Sequence, residues 1–395
     1  MTKALAAGHT GAGDYSAAPT GLHGPAIRVP ERVLKIAILG TRGIPARYGG
    51  FETFAEELST RLAARGHIVT VYTRQRHPEP FYRGVALRYL PAIRHKYFDT
   101  IAHTFLSTLD LLIHRSDAAL YCNAANAVFT WMPRLAGIPV ALNVDGLERK
   151  RKKWNRLART WYLVSEWLAT FCPNAVVSDA ARIAEYYRTR YGKATHSIPY
   201  GAETGAVLSM EILRDLGLEP GRYFLYVSRM EPENNALLVR EAFEQVETRL
   251  RLALIGDAPY AEAYIERVRN TRDPRIVMPG AIYGRGYQEL QSRCFAYIHA
   301  TEVGGTHPAL IEAMGRGALV LYLNTPENAE VASGAGIAFQ HDNLKAKLEE
   351  VLAMPAEEQD ELRRRAVARV AERYSWDAVT SAYEKLFLSL VDQNR

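Results

Sequence analysis

The chain has 395 residues, 48% hydrophobic and 23% charged, enough for two globular domains with full cores. Three cysteines, Cys122, Cys172 and Cys294, lie too far apart for a metal site and are too odd in number for a disulfide framework, which points to a reducing, cytoplasmic compartment. A net charge of +6 suits an anionic partner without choosing among a nucleotide, a membrane surface and nucleic acid.

Residues 1–30, rich in Gly, Ala, Pro and Ser and lacking the apolar core of a signal peptide, read as a disordered tail. No stretch reaches the roughly 18 uncharged apolar residues of a membrane span. The apolar run Val33–Leu39 ends at Gly40 and reads as a buried parallel strand. A loop with Gly43, Pro45, Gly49 and Gly50 follows. A helix then places Phe51, Phe54, Ala55, Leu58 and Leu62 on one face and stops at Gly66. Ile68–Tyr72 closes a βαβ unit. Ile101–Ile113, interrupted by His103 and Asp110, reads as an amphipathic helix. Further strands are expected at Ala118–Tyr121, Pro139–Val144, Ala175–Val177 and His196–Ile198.

The pattern restarts after a polar stretch, Gly201–Gly221, with strands expected at Tyr223–Val227, Arg251–Ile255, Ile276–Met278, Phe295–Ile298 and Ala318–Tyr322. A charged helix from Glu357 to about Arg373 and a more apolar one over Tyr374–Leu390 close the chain. The expected fold class is therefore α/β, with two doubly wound Rossmann-like domains over 31–200 and 222–375, a linker over 201–221, and a last helix over 376–395 that packs back on the first domain. Open parallel sheets bind ligands at the carboxyl ends of their strands, so the cleft between the domains is the expected site.

Four segments carry candidate chemistry. Gly40–Gly50 joins a strand to a helix; its glycines admit close backbone approach, the helix N-terminus attracts an anion, and Arg42 and Arg47 add charge. It is not a G-x-G-x-x-G, which weakens a dinucleotide reading. Ser228–Asn235 stands at the same place in the second half. There Arg229 suits a diphosphate, and Asn234 and Asn235 either donate to a ligand or cap the next helix. In His299–Gly315, a loop carrying Gly305, Thr306 and His307 enters a helix bearing Glu312. Its apolar neighbours Leu310, Ile311, Ala313 and Met314 imply a buried helix and hence a polar partner for the carboxylate. Asn324–Glu330 resembles a capped helix start with Pro326 in its first turn, and serves either as that alone or as a further anion site.

TRGIPARYGGFET, VDGLERKRKKW, RMEPENN and EVGGTHPALIEAM resemble the family 4 glycosyltransferases of GT-B fold, and more narrowly their bacterial rhamnosyltransferase-like subgroup, over about Leu34 to Leu390. The resemblance implies a retaining, hexosyl-transferring enzyme that uses a dTDP- or UDP-sugar, dTDP-rhamnose foremost, and a glycan or lipid-linked acceptor of bacterial surface polysaccharide synthesis. The first domain would hold the acceptor and the second the nucleotide-sugar. Gly49, Gly50 and Arg229 would face the diphosphate, Glu312 the ribose, and the Gly305–His307 amides the sugar or phosphate. Two departures from the wider family stand out. The glutamate that is usually separated by seven residues from the one at Glu312 is Gly304 here, with Glu302 off register, and the usual lysine after Arg229 is Asn234.

No Asp-x-Asp triplet occurs, so no metal and no cofactor are expected; arginine, loop amides and helix dipoles would offset the leaving-group charge. Asp145, at a strand end, either orients the acceptor hydroxyl or is a turn residue. The basic run from Arg149 to Lys153, with Trp154, Leu157, Trp161, Val164 and Leu168 at helical spacing, reads either as a core-facing stripe under solvated charge or as a peripheral contact of residues 149–168 with an anionic membrane. It lacks any accompanying nucleic-acid fold signature. A nucleotide-sugar epimerase and a non-catalytic nucleotide- or glycan-binding protein are the other readings of the same architecture.

Overall fold

The computed structural model describes residues 32–46, 49–92, 99–150, 155–258 and 261–394. The tail expected over 1–30, Arg47 and residues 151–154 of the basic run lie outside them.

The first sheet has eight strands: β1 (Lys35–Leu39), β2 (Ile68–Thr73), β3 (Phe81–Tyr82), β4 (Val85–Tyr89), β5 (Ala118–Cys122), β6 (Val140–Asn143), β7 (Ala175–Ser178) and β8 (His196–Ser197). Their order is β3-β4-β2-β1-β5-β6-β7-β8, parallel throughout except for the β3–β4 hairpin. The second sheet comprises β9 (Tyr223–Val227), β10 (Arg251–Ile255), β11 (Ile276–Gly280), β12 (Ala296–His299), β13 (Leu319–Leu323) and β14 (Ile337–Phe339), all parallel in the order β11-β10-β9-β12-β13-β14. Helices cover both faces, so the central strands are continuous apolar runs; every residue of β5 and β13 is buried. The hairpin and β14 lack such runs: the edge strand β3 has two residues, β4 becomes exposed at its end, and β14 is three residues long.

Each sheet reverses its strand order at one point, between β1 and β5 in the first and between β9 and β12 in the second. Both switch points open on the same cleft, which Gly40 and Asn123 line from one side and Ser228 and His299 from the other.

The last helix, Trp376–Gln393, crosses back to the first sheet. Its Tyr383 hydroxyl accepts a hydrogen bond from Asn143 Nδ2 at 2.9 Å, and its ring packs against Phe54. Glu384 meets Arg65 at 2.7 Å and His67 at 3.0 Å, contacts that hold its carboxyl below the usual range against the opposing effect of burial. Gly201 lies under the indole of Trp376, where a Cβ would come within 2.5 Å of the ring, so the crossing needs glycine.

The stripe expected on the helix Arg156–Leu168 faces the core only in part, with Trp161 and Leu168 half-buried and Leu168 packed against the core of the first domain. Leu157, Val164 and Trp167 are exposed, whereas Ser165 and Glu166 are buried. No described helix is long and apolar enough to cross a membrane.

Candidate functional site

The cleft between the two sheets has a volume of about 850 Å³. Two helices point their N-termini into it. Gly49 and Gly50 open the helix Gly50–Ala64 on the first-domain side, and Pro308 opens the helix Pro308–Gly315 opposite. The two ends nearly touch: a Cβ on Gly50 would come within 3.2 Å of Pro308 Cγ. The amides left free at their first turns and the aligned dipoles of both helices therefore offer hydrogen-bond donors and partial positive charge to an anion at this point of the cleft. Loop Thr41–Ala46 is held beside them by carboxylates of the first helix, Glu52 Oε1 accepting from the Arg42 amide at 3.0 Å and Glu56 Oε2 from that of Ala46 at 2.5 Å.

Arg229 lies on the loop after β9, about one-third exposed, with a long ion pair of 3.8 Å to Glu231. Asn234 also lines the cleft, but its Nδ2 turns back to the Arg229 carbonyl at 2.7 Å, so it braces the arginine loop. Asn235 occupies the N-cap position of the helix Ala236–Glu244 without capping it. Its Nδ2 bonds Ala300 O at 2.9 Å and Glu302 Oε1 at 3.0 Å. Glu302 is further held by His341 at 2.9 Å and is not part of the cleft wall. The missing glutamate at position 304 has a steric reason: a Cβ there would collide with the His307 imidazole. Thr325 Oγ1 caps the helix Pro326–Ala332 by accepting from the Asn328 amide at 3.2 Å, the structural one of the two roles open to Asn324–Glu330.

Glu312 projects into the cleft one and a half turns along its helix. Its Oε2 accepts a 2.6 Å hydrogen bond from the Tyr287 hydroxyl, which itself accepts from Gln291 Nε2 at 2.7 Å. Burial pushes the Glu312 carboxyl up to about 7 despite Tyr287 and Arg316. Tyr287 and Gln291 sit at i and i+4 on the helix Gly284–Arg293, and nothing in that segment alone marks them as the support of a residue 21 or more positions away.

A proton held up to about pH 7 in the folded state, against 4.5 for an ordinary glutamate, makes the Glu312 carboxylate increasingly destabilising as pH rises through that interval. Glu312→Gln removes this dependence. The variant is expected to gain about 3 °C in melting temperature over the parent between pH 5 and pH 8. Melting curves that stay parallel across that range would reject the assignment.

The Gly305–Thr306–His307 loop differs from its expected role. The Thr306 amide, predicted to meet sugar or phosphate, donates to Asp179 Oδ2 at 2.6 Å, and its hydroxyl bonds the Asp179 carbonyl. Asp179 follows β7 in the first domain, so this pair ties the domains together. The carboxyl is fully enclosed, and burial, with Asp145 nearby, raises it well above the usual carboxylate range. Gly305 packs flat on Asp179, and Gly146 packs on the Gly304–Gly305 backbone. His307 Nδ1 is 2.6 Å from Asn328 Oδ1, and its ring lies 4.9 Å from that of His299, which burial keeps neutral.

Asp145 occupies the turn considered for it and also faces the cleft. Its φ of +54° and the 3.0 Å bond from its amide to Asn143 Oδ1 belong to a turn. Its carboxylate lines the cleft and accepts from the Tyr200 hydroxyl at 3.2 Å.

Residues 48–205 match the Glycosyltransferase Family 4 model, and residues 221–354 match the Glycosyl transferases group 1 model. No curated protein sequence matches. Among solved structures, the chain is similar to sucrose-phosphate synthase from Thermosynechococcus elongatus (19% identity, 92% of this chain and 100% of that one, TM-score 0.73). It is also similar to Anabaena HepE in complex with UDP-glucose (15%, 89% and 99%, 0.73). WaaG, a glycosyltransferase involved in lipopolysaccharide biosynthesis, is a third such structure (17%, 89% and 98%, 0.67). At these identities the likeness concerns the fold.

Proposed function

The chain is a glycosyltransferase of GT-B fold in which a family 4 domain precedes a group 1 domain, and from that premise we propose that it carries rhamnose from dTDP-rhamnose to a glycan or lipid-linked acceptor in bacterial surface polysaccharide synthesis. The supporting observation is the convergence of two helix N-termini and Arg229 on one cleft. A nucleotide diphosphate leaves with a charge that such a site offsets without a metal. HepE, which is similar in fold, holds UDP-glucose, and WaaG serves lipopolysaccharide synthesis, which favours a nucleotide-sugar donor and a glycan acceptor.

In this reading Gly49, Gly50 and Arg229 face the diphosphate, Glu312 grips the ribose hydroxyls, and Gly305 and His307 border the sugar. The reaction retains configuration. The acceptor oxygen bonds the anomeric carbon as the carbon–diphosphate bond breaks, and the acceptor proton passes to the departing diphosphate oxygen. Asp145 orients the acceptor hydroxyl. The work takes place on the cytoplasmic side of the membrane, with residues 149–168 in peripheral contact.

The test is a panel of nucleotide-sugars scored by thermal shift and by nucleotide release with and without a glycan acceptor. The largest shift is expected with dTDP-rhamnose. A larger shift with UDP-glucose replaces the sugar but keeps the transferase. A donor isomerised without acceptor favours an epimerase, and no shift with any nucleotide-sugar rejects the proposal.

A further inference from the structure

Neighbouring helices on one face of the first sheet are turned inside out. In the helix Asp99–Ile113, His103, Thr104, Ser107 and Thr108 point inward and are buried, while Phe105, Leu106, Leu109 and Ile113 are exposed. Two of the inward polar groups have partners at home: Thr108 Oγ1 lies 2.8 Å from the Tyr121 hydroxyl, and Ser107 Oγ donates to the His103 carbonyl at 2.8 Å. The helix Arg156–Leu168 repeats the arrangement. Its buried Glu166 accepts from Arg149 Nε at 3.0 Å and from the Tyr186 hydroxyl at 2.9 Å, while Leu163 and Trp167 are 44% and 55% exposed. A helix of a water-soluble domain shows the opposite polarity.

The two faces are joined. Phe105 packs on Phe129, and Trp161 Nε1 donates to the Ala125 carbonyl at 3.3 Å, so both helices rest on the segment Ala124–Phe129. The short helix Trp131–Leu135 that follows exposes Trp131 and Leu135, and its Arg134 bonds the Phe171 carbonyl at the end of Arg156–Leu168. Around these apolar side chains the exposed charges of the three helices are Arg134, Arg156 and Arg159, with no exposed Asp or Glu. Lys150, Arg151, Lys152 and Lys153 adjoin them in sequence.

We propose that this three-helix face docks on an anionic lipid bilayer, its apolar side chains at the headgroup–acyl boundary and its arginines among the lipid phosphates. Charge selects this occupant over a second copy of the chain. A two-fold dimer through the same patch would set its arginines against their own copies, whereas an anionic surface neutralises them. The inference enlarges the peripheral contact placed at 149–168 in the proposed function, and docking does not depend on which donor the cleft takes. Its consequence bears on the acceptor: Thr100 and Tyr162, on the two inverted helices, also line the cleft, so docking would bring the cleft beside the surface where a lipid-linked glycan is anchored.

Flotation of the full chain with vesicles tests this, comparing phosphatidylcholine alone with phosphatidylcholine containing phosphatidylglycerol. The parent protein is expected to float with the anionic vesicles, less so at high salt. The double variant Leu163→Glu/Trp167→Glu should lose about ten-fold or more of the bound fraction, and Arg156→Gln/Arg159→Gln about ten-fold together with the salt dependence. All four side chains are solvent-exposed, and unchanged thermal shifts with nucleotide-sugars will show that fold and donor site are intact. Failure of the parent to float, or equal flotation of the variants, overturns the proposal. So does a parent dimer, seen by light scattering, that Leu163→Glu/Trp167→Glu splits. Loss of donor binding in the parent would instead count against the transferase reading and leave docking standing.

Discussion

Arg229→Ala is expected to lower kcat/KM for the donor by about 10²–10³-fold, most of it in kcat, with little change in melting temperature. Three features of the structure lead there. Among the described residues the guanidinium has only a long ion pair, 3.8 Å to Glu231, and it lines the cleft, so the fold leaves its charge available there. The loop that carries it is fixed independently of the side chain, by Asn234 Nδ2 on the Arg229 carbonyl and by the Met230 amide on Asp257 O, and truncation leaves that loop in place. Its partners in the proposed site are two helix N-termini, which carry partial charges, whereas arginine supplies a full charge and a planar fork that matches a diphosphate. Charge on the bridging oxygen grows as the sugar departs, so the loss falls mainly on the transition state. Arg229→Lys keeps the charge but not the fork and should recover only part of the rate. Steady-state kinetics on all three proteins decide the matter, and an alanine variant with parent kinetics removes Arg229 from the reaction.

Much of this layout is legible in the chain because its causes are local. A buried parallel strand must be a short apolar run, and the turn after it must be glycine-rich if backbone or ligand is to come close; Lys35–Leu39 followed by Gly40 shows both. The depth of Glu312 follows from the apolar residues that flank it on its helix. Its support does not, because Tyr287 reaches it from a separate helix. Periodicity finds the stripes of Asp99–Ile113 and Arg156–Leu168 but is blind to which side the rest of the protein lies on; here Thr108 and Glu166 turn inward to Tyr121 and Arg149, and much of the apolar side is left outward. Contacts between domains are the least legible. Asp179 and Thr306 are 127 residues apart, and only the relative placement of the two sheets makes one the partner of the other. Glycine at position 304 reads from sequence as a departure from a pattern; in three dimensions it is the space that His307 requires.

That interdomain seam yields the second large effect. Gly305→Ala is expected to lower turnover by more than about 10²-fold while each domain stays folded. Neither Gly305 nor Gly146 adopts a positive φ, so alanine suits the backbone at both positions. The obstacle is the other domain: at Gly305 a Cβ would fall on the Asp179 carboxylate, and at Gly146 it would come within 2.5 Å of the Gly304 carbonyl carbon. Neither the carboxylate, buried and held by the Thr306 amide, nor the backbone can yield cheaply. The added methyl should therefore hold the domains apart, straining the second tie as well, in which the Ala181 amide donates to Glu330 Oε1 at 2.9 Å. Arg229 and Glu312 belong to one domain and keep their nucleotide, so donor affinity should change only several-fold; the loss appears in kcat, because Asp145 and the Gly50 helix end no longer meet the sugar. Small-angle scattering should report a larger radius of gyration for the variant with nucleotide bound. Asp179→Ala in the same chain makes room for the methyl, and the double variant should be more active than Gly305→Ala alone, a coupling that damage confined to one domain would not produce. Parent-like turnover in Gly305→Ala would mean that the closed seam seen here is not the arrangement in which the sugar is transferred.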